Sequence, residues 1–384
     1  MPDRPIRVLH VLPHVLEGGV ERRRVLLAEQ LGAELEMRIA CLTGRGPVRE
    51  RIEAAGVPVI EMDRRHGRGV FDPRVHARMH ALLLRWRPDI VHGAIFEGMI
   101  WGATAGLLQR VPVVLLEETS YPTDDGPAGF RRSRWTRGAL RLIAGRSSGV
   151  VAVAPRIRDY LIEEQGLAPE RVHLVMNGVA DFELAAPDAV LAERRRLGFD
   201  DDSIVIGSVG RMNDAHKKFS DLLKAARQVR DRGHDVRVLL VGEGHDRPML
   251  EKLAAELDLT AHAVFTGRRE DRELFFALMD VFVLSSATEA APLALIEAMM
   301  ASRPSVATRV GGVEDIAADE ENALLVPSNA PTRIADAVER LLVEPGLRDT
   351  LAQAARRHAA DNLSARRYAD DVASLYRRCL ASRA

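Results

Sequence analysis

The two stretches 203-SIVIGSVGR-211 and 236-VRVLLVGEG-244 decide the fold. Each is a short run of Val, Ile and Leu ending on glycine, and an amphipathic, helix-length segment separates them. Apolar runs without alternation are typical of strands buried on both faces, and helical connections make such strands parallel. The same text continues with 262–267, 280–285, 304–308 and 323–327. Upstream it is foreshadowed by 6–12, 37–42, 57–62, 89–94, 111–118, 149–154 and 171–179. Between the two blocks, 180–202 loosens into a linker and a lead-in helix. The expected fold class is therefore α/β, with two Rossmann-like parallel-sheet domains facing a central cleft. The expected boundaries are 1–182 and 183–364, followed by an amphipathic helix over 365–380. A chain of 384 residues is also too long for a single core.

Composition narrows the function classes. The formal net charge is −1, and there is no aromatic-basic sheet face, so no nucleic-acid partner is expected. Only four of the 54 basic residues are lysine, a bias that genomic base composition alone accounts for. Cys41 and Cys379 fit no metal or redox spacing, which suits a reduced, cytoplasmic protein. The N-terminus runs straight into a strand without a signal pattern. No run reaches the roughly 18 apolar residues of a membrane span. HxH, HExxH and CxxC spacings are absent, so no metal and no cofactor are expected.

Open parallel sheets bind ligands at the carboxyl ends of their strands, which singles out three places. After the first strand, Gly18 and Gly19 allow a tight turn into a helix whose free N–H groups suit an anion; a purely structural turn is the other reading. After the first strand of the second half, Arg211 is read as ending the strand and Lys217 as opening the helix. Two such cations suit a diphosphate, or else form a solvated surface pair. In 289-EAAPLALIE-297, Pro292 fits a helical first turn. Glu289 then lies in the loop and Glu297 inside the helix, with the amides near Leu293 and Ala294 between them. A ligand with hydroxyls at both ends and phosphates in the middle has that form. The plainer alternative makes Glu289 a helix-dipole charge and Glu297 a surface residue. Gly242-Glu243-Gly244 lacks the third glycine of a dinucleotide turn, since Arg247 stands there. Over 126–158 there are eight arginines and no acid. A helix over 130–143 would carry Arg134, Arg137 and Arg141 on one face and Trp135, Ala139 and Leu142 on the other. That pattern suits peripheral contact with a membrane surface through 130–146, or an ordinary packed helix.

Taken in order, Gly-Gly-Val-Glu at 18–21, Asn177-Gly178-Val179, Val209-Gly210-Arg211 with Lys217, Val241-Gly242-Glu243-Gly244, Phe265-Thr266-Gly267-Arg268, Asp280–Ser285, Glu289-x7-Glu297 and Gly311-Gly312 resemble the retaining glycosyltransferases of family 4 (glycosyl transferases group 1), which have the GT-B fold. The match spans nearly the whole chain and is strongest over 205–327. The resemblance implies a nucleotide-sugar donor, UDP ahead of GDP, held mainly by the second domain. Arg211 and Lys217 would neutralise the diphosphate, Glu297 would bind the ribose and Glu289 the sugar. Gly18 and Gly19 would close over the phosphates. Gly242, Gly267, Arg268, Leu293 and Ala294 would line the donor site, and Glu118 would join Glu289, Arg211 and Lys217 among the catalytic positions. The partner would be a glycan or lipid-linked acceptor in cell-envelope or exopolysaccharide synthesis, at the cytoplasmic face of the membrane. The family also returns its last helix, here 365–384, to the first domain. Growing charge on the leaving diphosphate would meet fixed cations and helix amides. Three departures stand out. Ala290 replaces a usual glycine. The Arg211-to-Lys217 interval is one residue longer than expected, which leaves Lys218 as a substitute. Glu118 stands where many members have a histidine, a role open to His92 or His14. A nucleotide-sugar epimerase and a non-catalytic nucleotide-sugar-binding protein are the alternatives.

Overall fold

A computed structural model of the chain describes residues 4–15, 18–43, 46, 48–64, 72–119 and 134–383, without the side chains of 134–137 and 139. The described residues divide into two units, Met1–Ala180 with Ala365–Ala384, and Asp181–Ser364. The expected boundary after residue 182 thus shifts, because Phe182 packs its ring on Phe276 of the second unit at 5.9 Å.

The first unit is a seven-stranded parallel sheet built from β1 (Ile6–His14), β2 (Leu35–Thr43), β3 (Val59–Glu61), β4 (Ile90–Ala94), β5 (Val113–Glu118), β6 (Gly149–Ala152) and β7 (Val172–Leu174). Its spatial order is β3-β2-β1-β4-β5-β6-β7. The second unit has six parallel strands: β8 (Ile204–Val209), β9 (Val236–Val241), β10 (Ala263–Gly267), β11 (Val281–Leu284), β12 (Ser305–Thr308) and β13 (Leu324–Val326). They run in the order β10-β9-β8-β11-β12-β13. Every apolar run singled out above forms one of these strands. A continuous Val/Ile/Leu run satisfies helices on both faces of a sheet, so its burial requirement is legible locally. In each sheet the order reverses next to the first strand, at β1/β4 and at β8/β11, which creates a crevice at the strand ends.

Helices cover the sheets through apolar stripes. In Phe219–Asp231 the buried Phe219, Leu222, Leu223, Ala226 and Val229 recur at helical spacing. The last helix, Ala365–Ala381, packs on Gly19–Leu31 of the first unit and buries Tyr368, Val372, Leu375 and Tyr376. Its start is tied there by the Ala365 amide donating to the Val179 carbonyl at 2.8 Å.

Candidate active site

In the second unit, the crevice between β8 and β11 gathers three loops. The Ser285 hydroxyl donates to the Lys217 carbonyl at 2.9 Å. The Ala287 amide donates to the His216 carbonyl at 2.7 Å, and the Gly312 amide to the Glu289 carbonyl at 3.1 Å. Segments following β8, β11 and β12 are thereby fastened to one another. At their junction Lys217 Nζ lies 2.6 Å from Glu289 Oε1, and the Ser286 hydroxyl donates to the same oxygen at 2.6 Å. The Glu289 side chain is only 10% exposed. Two backbone approaches require glycine. A Cβ on Gly311, at φ +50°, would stand 1.8 Å from the Glu289 carbonyl oxygen. A Cβ on Gly242, at φ +141°, would stand 1.9 Å from the Gly210 carbonyl oxygen.

The structure corrects the expected setting of both cations. Lys217 does not open the long helix; it closes a one-turn helix, Asp214–Lys217. The chain then turns at Lys218, with φ +49°, before Phe219–Asp231 begins. The Asp214 carboxylate causes the break by accepting the Ser220 amide at 2.9 Å and its hydroxyl at 2.6 Å. Arg211 lies two residues beyond the end of β8, on the exposed surface, because β8 stops at Val209. Pro292 is the residue before the helix rather than its first turn, and the helix is Leu293–Met300. Leu293 and Ala294 therefore present the first amides, which have no intrahelical acceptors.

Glu297 is 3% exposed, which rules out the surface-residue alternative. Arg272, which the sequence reading missed, puts Nη1 3.2 Å from Glu297 Oε1. Its guanidinium also covers the Phe182 ring, 5.0 Å from the centroid. Gly267 closes β10, and Arg268 beside it is exposed, with the Glu270 carboxylate 3.9 Å away.

In the first unit Gly18 is extended, at φ −162°, so no tight turn demands glycine there. Its lack of a side chain instead makes room for the buried Glu21 carboxylate, whose Oε2 would lie 2.7 Å from a Cβ. Gly19 is the first residue of the following helix. His14 ends β1, with Nδ1 3.2 Å from Glu21 Oε1. Glu118 ends β5 and is buried. His92 is not at a strand end. It lies within β4, fully enclosed, with Nδ1 2.7 Å from the Tyr376 hydroxyl, and so cannot replace a ligand-facing histidine. It belongs to a buried polar network that the sequence reading missed. Glu117 accepts from Arg23 Nη2 and Arg24 Nη2, each at 2.6 Å, and lies 3.2 Å from His92 Nε2. Arg24 Nη1 reaches the Tyr368 hydroxyl at 3.4 Å. Burial alone pushes the Glu117 carboxyl upward, but the charges of Arg23 and Arg24 outweigh it and hold it well below the usual range. Two successive glutamates ending a strand buried on both faces were the available signal, since side chains alternate between the faces and a carboxylate enclosed on either one needs a counter-charge.

A helix covers Arg134–Arg146, but the side chains of Arg134, Trp135, Arg137 and Ala139 lie outside the described residues. So do residues 120–133 and 65–71, which include most of the basic segment's start. Leu142 is 58% exposed. Among the described residues no helix is long and apolar enough to cross a membrane, and none group as three or more metal-binding side chains.

Residues 17–181 match the family model described as Glycosyltransferase Family 4, and residues 190–358 that described as Glycosyl transferases group 1. The chain is 32% identical over 274 residues to the alpha-D-kanosaminyltransferase of Streptomyces kanamyceticus, spanning 70% of this chain and 67% of that protein. It is 29% identical over 315 residues to the 2-deoxystreptamine glucosyltransferase of the same organism, spanning 77% and 79% respectively. The structure of Anabaena Alr3699/HepE, solved in complex with UDP and glucose, aligns with a TM-score of 0.83 at 19% identity, covering 97% of this chain and 100% of that one. Its fold is GT-B, and with it the two-sheet architecture derived above is GT-B as well. The chain belongs to the family 4, group 1 glycosyltransferases and is a glycosyltransferase enzyme.

Proposed function

We propose that the enzyme transfers a hexose from a UDP-sugar, with retention at the anomeric carbon, to a glycan or lipid-linked acceptor. One observation carries the reading: Lys217, Glu289 and the first amides of Leu293–Met300 belong to loops fastened together at the β8/β11 crevice. A diphosphate held by Lys217, Arg211 and the Leu293 and Ala294 amides would meet positive charge where the leaving group gains negative charge. Preorganised charge of this kind lowers the barrier without reorganisation. Glu289 would then exchange its lysine for sugar hydroxyls, and Glu297 would accept from the ribose. Gly18, Gly19, Gly242, Gly267 and Arg268 would complete the donor site, and Glu118 would take the place of the family's histidine. In this reading protein cations supply the charge stabilisation, and the acceptor hydroxyl attacks from the face the diphosphate leaves.

UDP is supported by the ligand named for the Anabaena structure. Work on an envelope or exported polysaccharide would take place in the cytoplasm, with the basic segment 130–146 against anionic lipid; the arginine run is its support. A second reading has a small aminocyclitol acceptor, favoured by the 2-deoxystreptamine named for one relative.

The test is a thermal-shift panel of UDP, GDP, ADP and their common sugars on the native enzyme and Glu297→Ala. A ligand at a hundred times its Kd stabilises the fold by about 2.7 kcal/mol. The expected result is a shift with UDP compounds that is lost in the variant. No shift with any of them would sink the site. Product analysis with 2-deoxystreptamine and with lipid-linked glycans then separates the two acceptor readings.

A further inference from the structure

We propose that Arg272 is a positioning residue for the donor nucleotide: it orients the Glu297 carboxylate and so sets the enzyme's preference for ribo- over 2′-deoxyribonucleotides. This rests on the reading of Glu297 as the ribose acceptor group. Arg272 opens the helix Arg272–Leu278, while Glu297 lies within Leu293–Met300, so the contact joins two elements. Nη1 is 3.2 Å from Glu297 Oε1, and the guanidinium carbon lies over the Phe182 ring, 5.0 Å from its centroid. The surroundings hold that ring in place. Phe276 braces it at 5.9 Å, and the nearby Ala185 amide donates to the Glu273 carbonyl at 3.0 Å. On the other side of Phe182, Asp181 accepts from Arg356 Nη2 at 2.7 Å. Arg269, three residues before Arg272, is instead paired with Asp271 and Glu193.

The arrangement uses both features of a guanidinium. Its carbon lies over an aromatic ring while one of its N–H groups donates to a carboxylate, a pairing that suits a planar, delocalised guanidinium better than a compact ammonium. The terminal torsion of a glutamate is broad and roughly two-fold, so the chain alone does not fix the carboxylate plane. Glu297 is nearly enclosed, and a buried carboxylate needs both an opposite charge and a direction. With Oε1 tied to Arg272, the plane is set before the nucleotide arrives. A fixed plane lets a carboxylate hold two neighbouring hydroxyls, and it makes the loss of one of them costly.

The experiment measures affinity for UDP and 2′-deoxy-UDP, with donor KM and kcat, in the native enzyme, Arg272→Leu, Arg272→Lys, Glu297→Gln and the Arg272→Leu/Glu297→Gln double variant. The native enzyme is expected to favour UDP by about ten- to a hundredfold, the range of a hydrogen bond to a charged group. Arg272→Leu should compress that ratio below about threefold and raise donor KM while leaving kcat nearly unchanged, and Arg272→Lys should recover part of it. Because Arg272 acts through Glu297, Arg272→Leu should change nothing further in the Glu297→Gln background. If Arg272→Leu does not fold, Arg272→Lys and Phe182→Leu carry the test, each with partial compression expected. An unchanged ratio in the Arg272 variants, with Glu297→Gln losing it, overturns this proposal alone. Equal native affinity for the two nucleotides, or none for either, overturns the ribose reading and this proposal together.

Discussion

Glutamine at position 117 keeps the shape of the side chain and removes its charge. In the first unit the Glu117 carboxylate accepts Arg23 on one oxygen and Arg24 on the other, each at 2.6 Å. The two arginine side chains are 3% and 0% exposed, so neither has water to fall back on. Glu117→Gln would leave two enclosed cations around one amide. Removing one partner of a buried ion pair costs about 3–5 kcal/mol. A domain of this size loses about 2–4 °C of midpoint per kcal/mol, so the transition should fall by about 6–20 °C. Scanning calorimetry of the variant and parent at neutral pH measures the drop, and amide exchange of residues 113–118 assigns it to the first unit. The triple variant Arg23→Leu/Arg24→Met/Glu117→Leu should recover most of the loss, because the desolvation cost disappears with the charges. A glutamine variant melting within about 2 °C of its parent would refute the reasoning, since the carboxylate would then not be what compensates the guanidiniums.

Acidification should weaken the same unit. Burial first, and then the Arg24 charge, push the His10 imidazole well below its ordinary value, and burial chiefly lowers His92. The unfolded chain takes up these protons near pH 6.5 while the folded one does not, so stability is complete above that pH and falls as pH drops towards the folded values. The slope is up to about 1.4 kcal/mol per pH unit for each histidine. Urea midpoints at pH 7.5 and 5.5 check this, and an equal or higher midpoint at 5.5 contradicts it. Lys217→Ala should lower kcat/KM by about 10²–10³, the size seen when one preorganised charge-stabilising group is lost. Steady-state kinetics with the nucleotide sugar selected by the thermal panel decides it, and a loss below about fivefold removes Lys217 from the chemistry. Gly311→Ala should destabilise the second unit by at least about 2 kcal/mol, because the residue has φ +50° and its new Cβ would meet the Glu289 carbonyl oxygen at 1.8 Å. Guanidinium denaturation at parental stability would show that the loop yields.

The strands, their parallel pairing and the family were legible in the sequence because each rests on local text. A run such as IVIGSV carries its own demand for burial, whatever lies elsewhere in the chain. Glycine, lysine and glutamate in a fixed order identify a family without any distance being known. The pairing of side chains was not legible. Lys217 and Glu289 are 72 residues apart, and they meet because the sheet order puts β8 beside β11. Reading them as holding opposite parts of a ligand was possible in sequence; seeing them as each other's counter-charge was not. Glu117 and Arg23 are 94 residues apart, and an arginine in so arginine-rich a chain has no local mark that it is buried. Arg272 was hidden in the same way among the charges of 268-RREDRE-273. Hydrophobic periodicity is a property of neighbours in the chain. A charge's partner is a property of neighbours in space, and only the order of strands decides who they are.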